Sequence, residues 1–197
     1  MRSSPLGLTV LSLLHMQPLH PYGIQRLIKQ WGKDQVVNVS QRASLYRTID
    51  RLLDAELIAV RETSRDQQYP ERTVYEVTDA GRAATREWLR EMLAAPRAEY
   101  PEFPAALSFT MMLLPHEVQA DLTTRAVQVR AQLTELGTAA ERARQMALPR
   151  ITMLEDEYRR AVLTAELNWL DTVTSDLRTG ALTWDYDTLA ALARDTS

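Results

Sequence analysis

Apolar positions in the first 80 residues follow helical spacing three times and then strand spacing twice. Residues 6–15 are mostly apolar, and residues 22–31 place apolar side chains at steps of three and four. A third helix begins after Ser40, a residue suited to an N-cap. Its apolar stripe consists of Leu45, Ile49, Leu52 and Leu53. The runs IAVRET and TVYEV then alternate as short strands around the polar loop SRDQQYPER, and this order predicts a winged helix-turn-helix.

The rest of the chain predicts helices only. Thr78 is suited to cap a fourth helix, and PRAEYPEFP marks a boundary. Beyond it we expect a short amphipathic helix at 103–114, a long helix starting at Pro115, and a last helix at 151–177. The predicted fold is mostly α with a small two-stranded β wing. Residues 1–95 would form a winged helix-turn-helix DNA-binding domain, and residues 96–197 a helical dimerisation domain with a candidate effector site.

The last helix carries apolar residues over a wide arc. Ile151, Leu154, Tyr158 and Trp169 lie on one side, whereas Leu163, Leu167 and Leu170 lie about 100° or more around from them. Such a helix has to be covered from two sides. A second copy of the chain is one cover, and a central position in the chain's own bundle is the alternative.

Charge separates the two halves. The formal net charge is −3, but residues 1–95 carry 13 Lys and Arg against 11 Asp and Glu, and residues 96–197 carry 10 against 15. A polyanion is therefore expected on the first half, provided that its basic side chains share one surface.

Composition removes several classes of chemistry. The chain has no cysteine, so disulfides and thiolate zinc sites are excluded. The six glycines are isolated, and the three histidines are dispersed without ligand spacing, so no phosphate loop, metal site, cofactor or enzyme is predicted. There is neither a secretion signal nor an apolar run of membrane-spanning length, so we expect a cytoplasmic protein without membrane contact.

The outward face of the third helix carries the candidate DNA contacts. Small residues at Ala43 and Ser44 allow close approach, and Arg47 is suited to guanine O6 and N7. Considered alone, such a face is more often simply solvated, but a wing behind it favours DNA recognition. The full candidate set is Tyr22, Ser40, Gln41, Arg42, Ala43, Ser44, Tyr46, Arg47 and Arg51, with Arg65, Gln67 and Arg72 in the wing.

Three segments resemble the PadR-like transcriptional regulators. They are TVLSLLHMQPLHPYGIQRLI, ASLYRTIDRLLDAELIAV and TVYEVTDAGR, and EYRRAVLTAELNWLDTV is similar to part of that family's dimerisation domain. Glu56 stands where the family has a glycine suited to a left-handed helix end, so a differently built turn is expected there.

The resemblance implies a homodimer, often a repressor, that binds a pseudo-palindromic operator and releases it when a small aromatic or hydrophobic effector binds. Candidate residues for the effector site are Phe103, Met111, Tyr158 and Trp169, and packing within a helical core is the competing interpretation of all four. We therefore expect an effector-responsive DNA-binding regulator. Two alternatives remain open: a dimeric ligand sensor whose winged helix contacts a protein, and a MarR-like regulator.

Overall fold

The computed structural model describes residues 2–39, 42–64 and 72–186. The chain divides into two compact units, Met1–Glu99 and Tyr100–Ser197, and the division falls inside the proline-rich segment. In the described part of the chain, no helix is both long enough and apolar enough to cross a membrane.

In its described residues, the first unit contains four α-helices, one hairpin and a 3₁₀ turn at Lys33–Gln35. Its elements in chain order are α1 (Pro5–Met16), α2 (Pro21–Gln30), α3 (Arg42–Asp54), β1 (Ile58–Ser64), β2 (Arg72–Val77) and α4 (Asp79–Ala94). Together with the helical second unit, this architecture confirms the predicted fold class.

Local chemistry explains where the first two helices begin. A proline occupies the first position of each helix, where its missing N–H has no partner to lose. Ser4 Oγ accepts the Gly7 N–H at 3.1 Å, and His20 Nδ1 accepts the Gly23 N–H at 3.3 Å. His20 therefore serves as the cap of the second helix.

One core joins all elements of the first unit. The predicted stripe of α3 is confirmed, with Leu45, Ile49 and Leu52 buried and Leu53 partly buried against them. Their partners in the core include Val10, Leu11 and Leu14 of α1, Ile24 and Ile28 of α2, Ile58 and Val77 of the hairpin, and Trp88 of α4.

The hairpin is antiparallel and is extended by one residue from the α1–α2 connection. Leu19 and Tyr75 exchange both backbone hydrogen bonds, at 3.0 and 2.9 Å, as an isolated bridge. This pairing attaches β2 to the start of α2, so the wing stands beside the helix-turn-helix.

The turn from α3 into β1 is left-handed in spite of its residue. Glu56 has φ +57°, the Glu56 N–H donates to Leu53 O at 2.8 Å, and the Leu57 N–H donates to Leu52 O at 2.9 Å. These two bonds form a Schellman motif, which usually has glycine at this position. The expectation of a differently built turn was wrong, because surrounding contacts impose the same backbone on glutamate.

A close backbone approach joins this turn to α4. Thr78 caps α4 as predicted, accepting the Gly81 N–H at 3.0 Å and donating to Glu56 O at 2.8 Å. A Cβ atom at Gly81 would lie only 1.9 Å from Leu57 O. Glycine is therefore required where α4 passes the turn.

A short hydrogen-bond chain links α1 to α4. Arg82 donates to His15 Nδ1 at 3.2 Å, so the ring hydrogen is on Nε2 and is donated to Thr85 Oγ1 at 3.1 Å. Thr85 Oγ1 in turn donates to Gly81 O at 2.7 Å. Burial, followed by the charges of Arg82 and Arg86, lowers the pKa of His15.

The second unit is a helical hairpin with a short helix packed on it. Its α-helices are α5 (Glu102–Leu107), α6 (Pro115–Gln145) and α7 (Leu154–Thr179), and short 3₁₀ turns occupy Thr110–Met112 and Arg150–Met153. Apolar residues of α6 spaced three and four positions apart pack along α7, where the apolar cluster contains Val118, Leu122, Ala126, Val129, Leu170 and Leu177.

The helix predicted over 103–114 is interrupted. Pro115 begins α6, and a residue that precedes proline favours extended backbone, as Leu114 shows with ψ 149°. Leu113 is also extended, and between α5, which ends at Leu107, and α6 the described chain makes one 3₁₀ turn.

Candidate nucleic-acid interface

Helix α3 turns its polar side away from the core. Ala43, Tyr46, Arg47 and Arg51 are exposed, and Ser44 is partly exposed. All five were predicted as DNA contacts, and the structure places them on the side opposite the buried stripe. The exposed face is thus formed by the first two and a half turns of the helix.

Arg47 lies back along its own helix. Its Nε donates to Ala43 O at 3.2 Å, which directs the guanidinium toward the amino-terminal end of α3. This bond occupies one of five N–H donors, so the group retains the fork geometry suited to a guanine edge or a phosphate.

The wing contributes Tyr75 to the same region. Burial raises the pKa of the Tyr75 phenol, and the nearby Asp50 carboxylate and Tyr46 phenol add to the effect. Asp50 is exposed on α3, one turn beyond Tyr46 and Arg47. A carboxylate there can accept a hydrogen bond from cytosine N4 and repels phosphates. Asp50 is not among the DNA contacts predicted from the sequence.

Tyr22 lies in the first turn of α2 and is 61% exposed. Its ring stacks on His20, with the ring centroids 5.9 Å apart and the ring planes 9° from parallel. The stack holds the phenol outward at the beginning of the first helix of the helix-turn-helix, the helix that in such motifs crosses the phosphate backbone.

Several predicted contacts fall outside what the structure describes. Ser40, Gln41, Arg65 and Gln67 lie outside the described residues. Arg42 begins α3 and Arg72 begins β2, but only their backbone is described. In the described part of the wing, Arg61 is 3.6 Å from Glu76 on the neighbouring strand, so its charge is partly neutralised by an ion pair.

The candidate effector residues do not form one group. Phe103 and Trp169 meet edge to face with ring centroids 6.0 Å apart, and the Arg125 guanidinium lies 3.6 Å from the centre of the Phe103 ring. Tyr158 is eleven residues from Trp169 along α7, about 16 Å at the helical rise. Met111 lies in the 3₁₀ turn that follows α5 and is exposed.

Arg125 of α6 also links α5 to α7. Its Nε donates to Glu166 Oε1 at 2.6 Å, so one guanidinium bridges the ring of α5 and a carboxylate of α7. Within the described residues, no three side chains of the metal-ligating types lie close enough together to hold an ion.

Three helices, a hairpin wing and an exposed face on the third helix define a winged helix-turn-helix protein. Residues 10–87 match the model of the Transcriptional regulator PadR-like family. The resemblance to the PadR-like family that the sequence predicts is therefore confirmed over residues 10–87.

Solved structures share the fold over most of the chain. Bacillus subtilis PadR in complex with operator DNA is 20% identical, with a TM-score of 0.71, and the match covers 88% of this chain and 99% of that one. The same protein in complex with p-coumaric acid gives a TM-score of 0.69 at 20% identity, covering 88% and 98% of the two chains.

The Vibrio cholerae virulence activator AphA matches with a TM-score of 0.67 at 20% identity, covering 88% of this chain and 98% of its own. A comparison with curated proteins found no match. The family and these relatives are transcription regulators rather than enzymes.

Proposed function

We propose that this protein is a sequence-specific DNA-binding transcriptional regulator that acts as a homodimer on a pseudo-palindromic operator. The observation that carries the proposal is the exposed face of α3, with Tyr46, Arg47 and Arg51 beside a wing. A helix with its side chains fits the major groove, and small residues at its amino-terminal end permit close approach. The complex of B. subtilis PadR with operator DNA supports the proposal, because that protein shares the fold.

The side chains of the interface divide into two roles. Ala43, Ser44, Tyr46 and Arg47 contact base edges, because they occupy the first turns of α3. The remaining candidates position the protein on the sugar-phosphate backbone. They are Tyr22, Ser40, Gln41, Arg42, Arg51, Arg65, Gln67 and Arg72.

The anisotropy of fluorescent DNA tests the proposal directly. Intergenic DNA upstream of the protein's own gene is compared with random DNA of equal length at two or more salt concentrations. Tighter binding to the intergenic fragment, with a steep negative log–log salt slope, is the expected result. Equal binding to both fragments would contradict sequence specificity, and no binding at low salt would favour the protein-partner sensor.

Arg47→Ala separates base contact from general attraction. We expect a loss of about 1–3 kcal/mol on the operator and a smaller loss on random DNA. Arg65→Ala in the wing is the matched comparison, and it should weaken binding to both DNAs alike and lower the salt slope by about one unit. An equal effect of Arg47→Ala on both DNAs would remove Arg47 from base recognition.

The homodimer is supported by the uncovered side of α7. Helix α6 covers Leu163, Leu167 and Leu170, whereas Leu154 and Tyr158 remain 46% and 71% exposed on the other side. This is the second apolar arc that the sequence predicts. A second copy that covers it would give a two-fold dimer with one α3 helix for each half-site of the operator.

Tyr158→Glu tests that surface. A carboxylate buried in an apolar interface is strongly unfavourable, so the dimer dissociation constant should rise at least about tenfold in sedimentation equilibrium. Thr164→Glu, exposed on a different face of the same helix, should leave the constant unchanged. A wild-type protein that sediments as a monomer at micromolar concentration would refute the dimer.

An aromatic or hydrophobic effector completes the proposal. The complex of B. subtilis PadR with p-coumaric acid supports this class of ligand. Phe103 and Trp169, already in ring contact, are the candidate lining residues, and Met111 and Tyr158 stay weaker candidates because they are not grouped with that pair. Release of the operator by added p-coumaric acid in the anisotropy assay, lost in Trp169→Ala, is the expected result.

Repression in the cytoplasm is the proposed mode, through occlusion of the promoter by the bound dimer. A promoter–reporter fusion in cells with and without the protein tests the sign of regulation. Higher expression without the protein supports repression. Lower expression would make the protein an activator, as V. cholerae AphA is described to be.

A further inference from the structure

The closed end of the α6–α7 hairpin contains a cleft. Its volume is about 370 Å³, and its apolar base is formed by Leu136, Ala140 and Met153. Small-molecule sites have volumes of about 300–1,000 Å³ and combine an apolar base with a few polar groups. The cleft is thus of the size that accommodates a small organic molecule.

Three guanidinium groups line this cleft together with two carboxylates. Arg150 binds Glu157 through both oxygens, with Nε at 3.1 and 3.2 Å and Nη2 at 2.9 Å. This ion pair holds the pKa of Glu157 below its usual range, so the carboxylate stays charged and occupied. Asp156, the other carboxylate, is 3.7 Å from Arg159.

The guanidinium groups differ in their partners. Arg144 pairs at 2.7 Å with Glu141, three residues earlier on its own helix. Arg160 has no hydrogen-bond or ion-pair partner among the described side chains. Its positive charge acts on the Glu157 carboxylate, but less strongly than the charge of Arg150. The lining thus has three cations and two anions, and Arg160 is the lining cation whose donors have no side-chain partner within the described residues.

We propose that this cleft binds a small amphipathic carboxylate, with its apolar body on Leu136, Ala140 and Met153 and its carboxylate on Arg160 and Arg144. A guanidinium matches a carboxylate in shape, and the bonds are charge-assisted. The site is separate from the Phe103–Trp169 pair, since Trp169 is nine residues from Arg160, about 14 Å along α7. It goes beyond the proposed function and does not depend on DNA binding.

Isothermal titration calorimetry of the full chain, without DNA, tests the site with octanoate, benzoate and cinnamate as probes. At least one should bind, and its neutral amide should bind at least about tenfold more weakly. Arg160→Gln should reduce affinity for the acid about tenfold or more. Arg142→Gln, which removes an exposed guanidinium of α6 outside the cleft, should leave the affinity unchanged.

A single engineered thiol locates the bound probe. Because the native chain has no cysteine, Ala140→Cys supplies one reactive group at the base of the cleft. The best-binding acid should slow the reaction of this thiol with a maleimide severalfold. Adding Arg160→Gln to the same variant should abolish that protection.

Three results would overturn the proposal: no heat from any of the three acids, affinity that is unchanged in Arg160→Gln, or a thiol that the bound acid does not protect. Affinity lost in Tyr158→Glu but kept in Arg160→Gln would instead place the acid on the exposed side of α7. DNA binding is measured separately by anisotropy, so failure here and failure of the regulator proposal give different results.

Discussion

Replacing Glu56 with glycine should stabilise the first unit, although Glu56 makes the turn on which the wing is built. The residue has φ +57°, in the left-handed region. Its N–H and that of Leu57 complete the Schellman bonds to Leu53 O and Leu52 O, and Glu56 O accepts the Thr78 hydroxyl. None of the three contacts uses the Glu56 side chain, so glycine retains every one of them.

The magnitude follows from opposing effects. A non-glycine residue in the left-handed region lowers the free energy of unfolding by about 1–2 kcal/mol. Glycine lowers it by about 0.5–1 kcal/mol, because its chain loses more conformational entropy on folding. Removing an exposed carboxylate from a helix carboxyl end adds about 0.3–1 kcal/mol. The net gain of Glu56→Gly should be about 1 kcal/mol, which raises the melting temperature of a unit of this size by about 4–8 °C.

Urea denaturation followed by circular dichroism and scanning calorimetry measures the change. Glu56→Ala is the matched control, since it removes the charge and keeps the unfavourable φ. We expect Glu56→Gly to exceed it by about 0.5–1 kcal/mol. Equal stability of the two variants would refute the argument from backbone conformation, and a loss of stability in Glu56→Gly would refute the assigned turn itself.

Four further predictions concern packing, backbone conformation and protonation. Gly81→Ala should destabilise the first unit by about 1–3 kcal/mol, because its Cβ would lie 1.9 Å from Leu57 O. By contrast, a Cβ added at Gly137 would meet nothing within 4 Å, so Gly137→Ala should stabilise its helix by about 0.5–1 kcal/mol in the same urea assay. Ala147→Gly should stabilise the second unit by about 0.5–1 kcal/mol, because Ala147 has φ +51° and ends its helix with the same Schellman bonds as Glu56. Unchanged stability in Ala147→Gly would count against the argument from left-handed backbone. The pKa of His15 is lowered from 6.5 in the folded protein, so the folded state binds fewer protons than the unfolded state. The contribution of neutral His15 to the free energy of unfolding is therefore full above pH 6.5 and is lost as the pH falls below that value. Urea titrations from pH 5 to 8 should show this slope, and His15→Gln should reduce it; an unchanged slope would exclude His15 as the cause.

Local patterns were sufficient for most of the fold. The steps of three and four in α2 and α3, the alternation in the hairpin and the prolines at the helix starts act within a few residues, so the sequence alone predicts them. The interrupted helix at 103–114 shows the limit. Its apolar spacing is helical throughout, but Pro115 favours extended backbone at Leu114, a constraint that apolar spacing does not reveal.

Contacts between distant segments were not predictable from local spacing. The bridge between Leu19 and Tyr75 and the passage of Gly81 beside Leu57 O depend on how the elements pack. The family's glycine at the end of α3 is replaced by Glu56, and sequence reasoning therefore expected a different turn. The surrounding bonds impose the left-handed backbone all the same.

The candidate site likewise combines features that local spacing predicts with features that depend on contacts between distant segments. The outward position of Tyr46 and Arg47 follows from the buried stripe of α3, because residues on one helix have fixed angular relations. The approach of Tyr75 to Asp50 does not follow from that stripe, since it requires β2 to be held at Leu19. Helix α3 is thus held from behind by the core and from one side by the wing. A helix fixed in this way can enter a groove with little backbone reorganisation, so differences in base preference should arise from the exposed side chains of α3, among which Asp50 belongs beside Arg47.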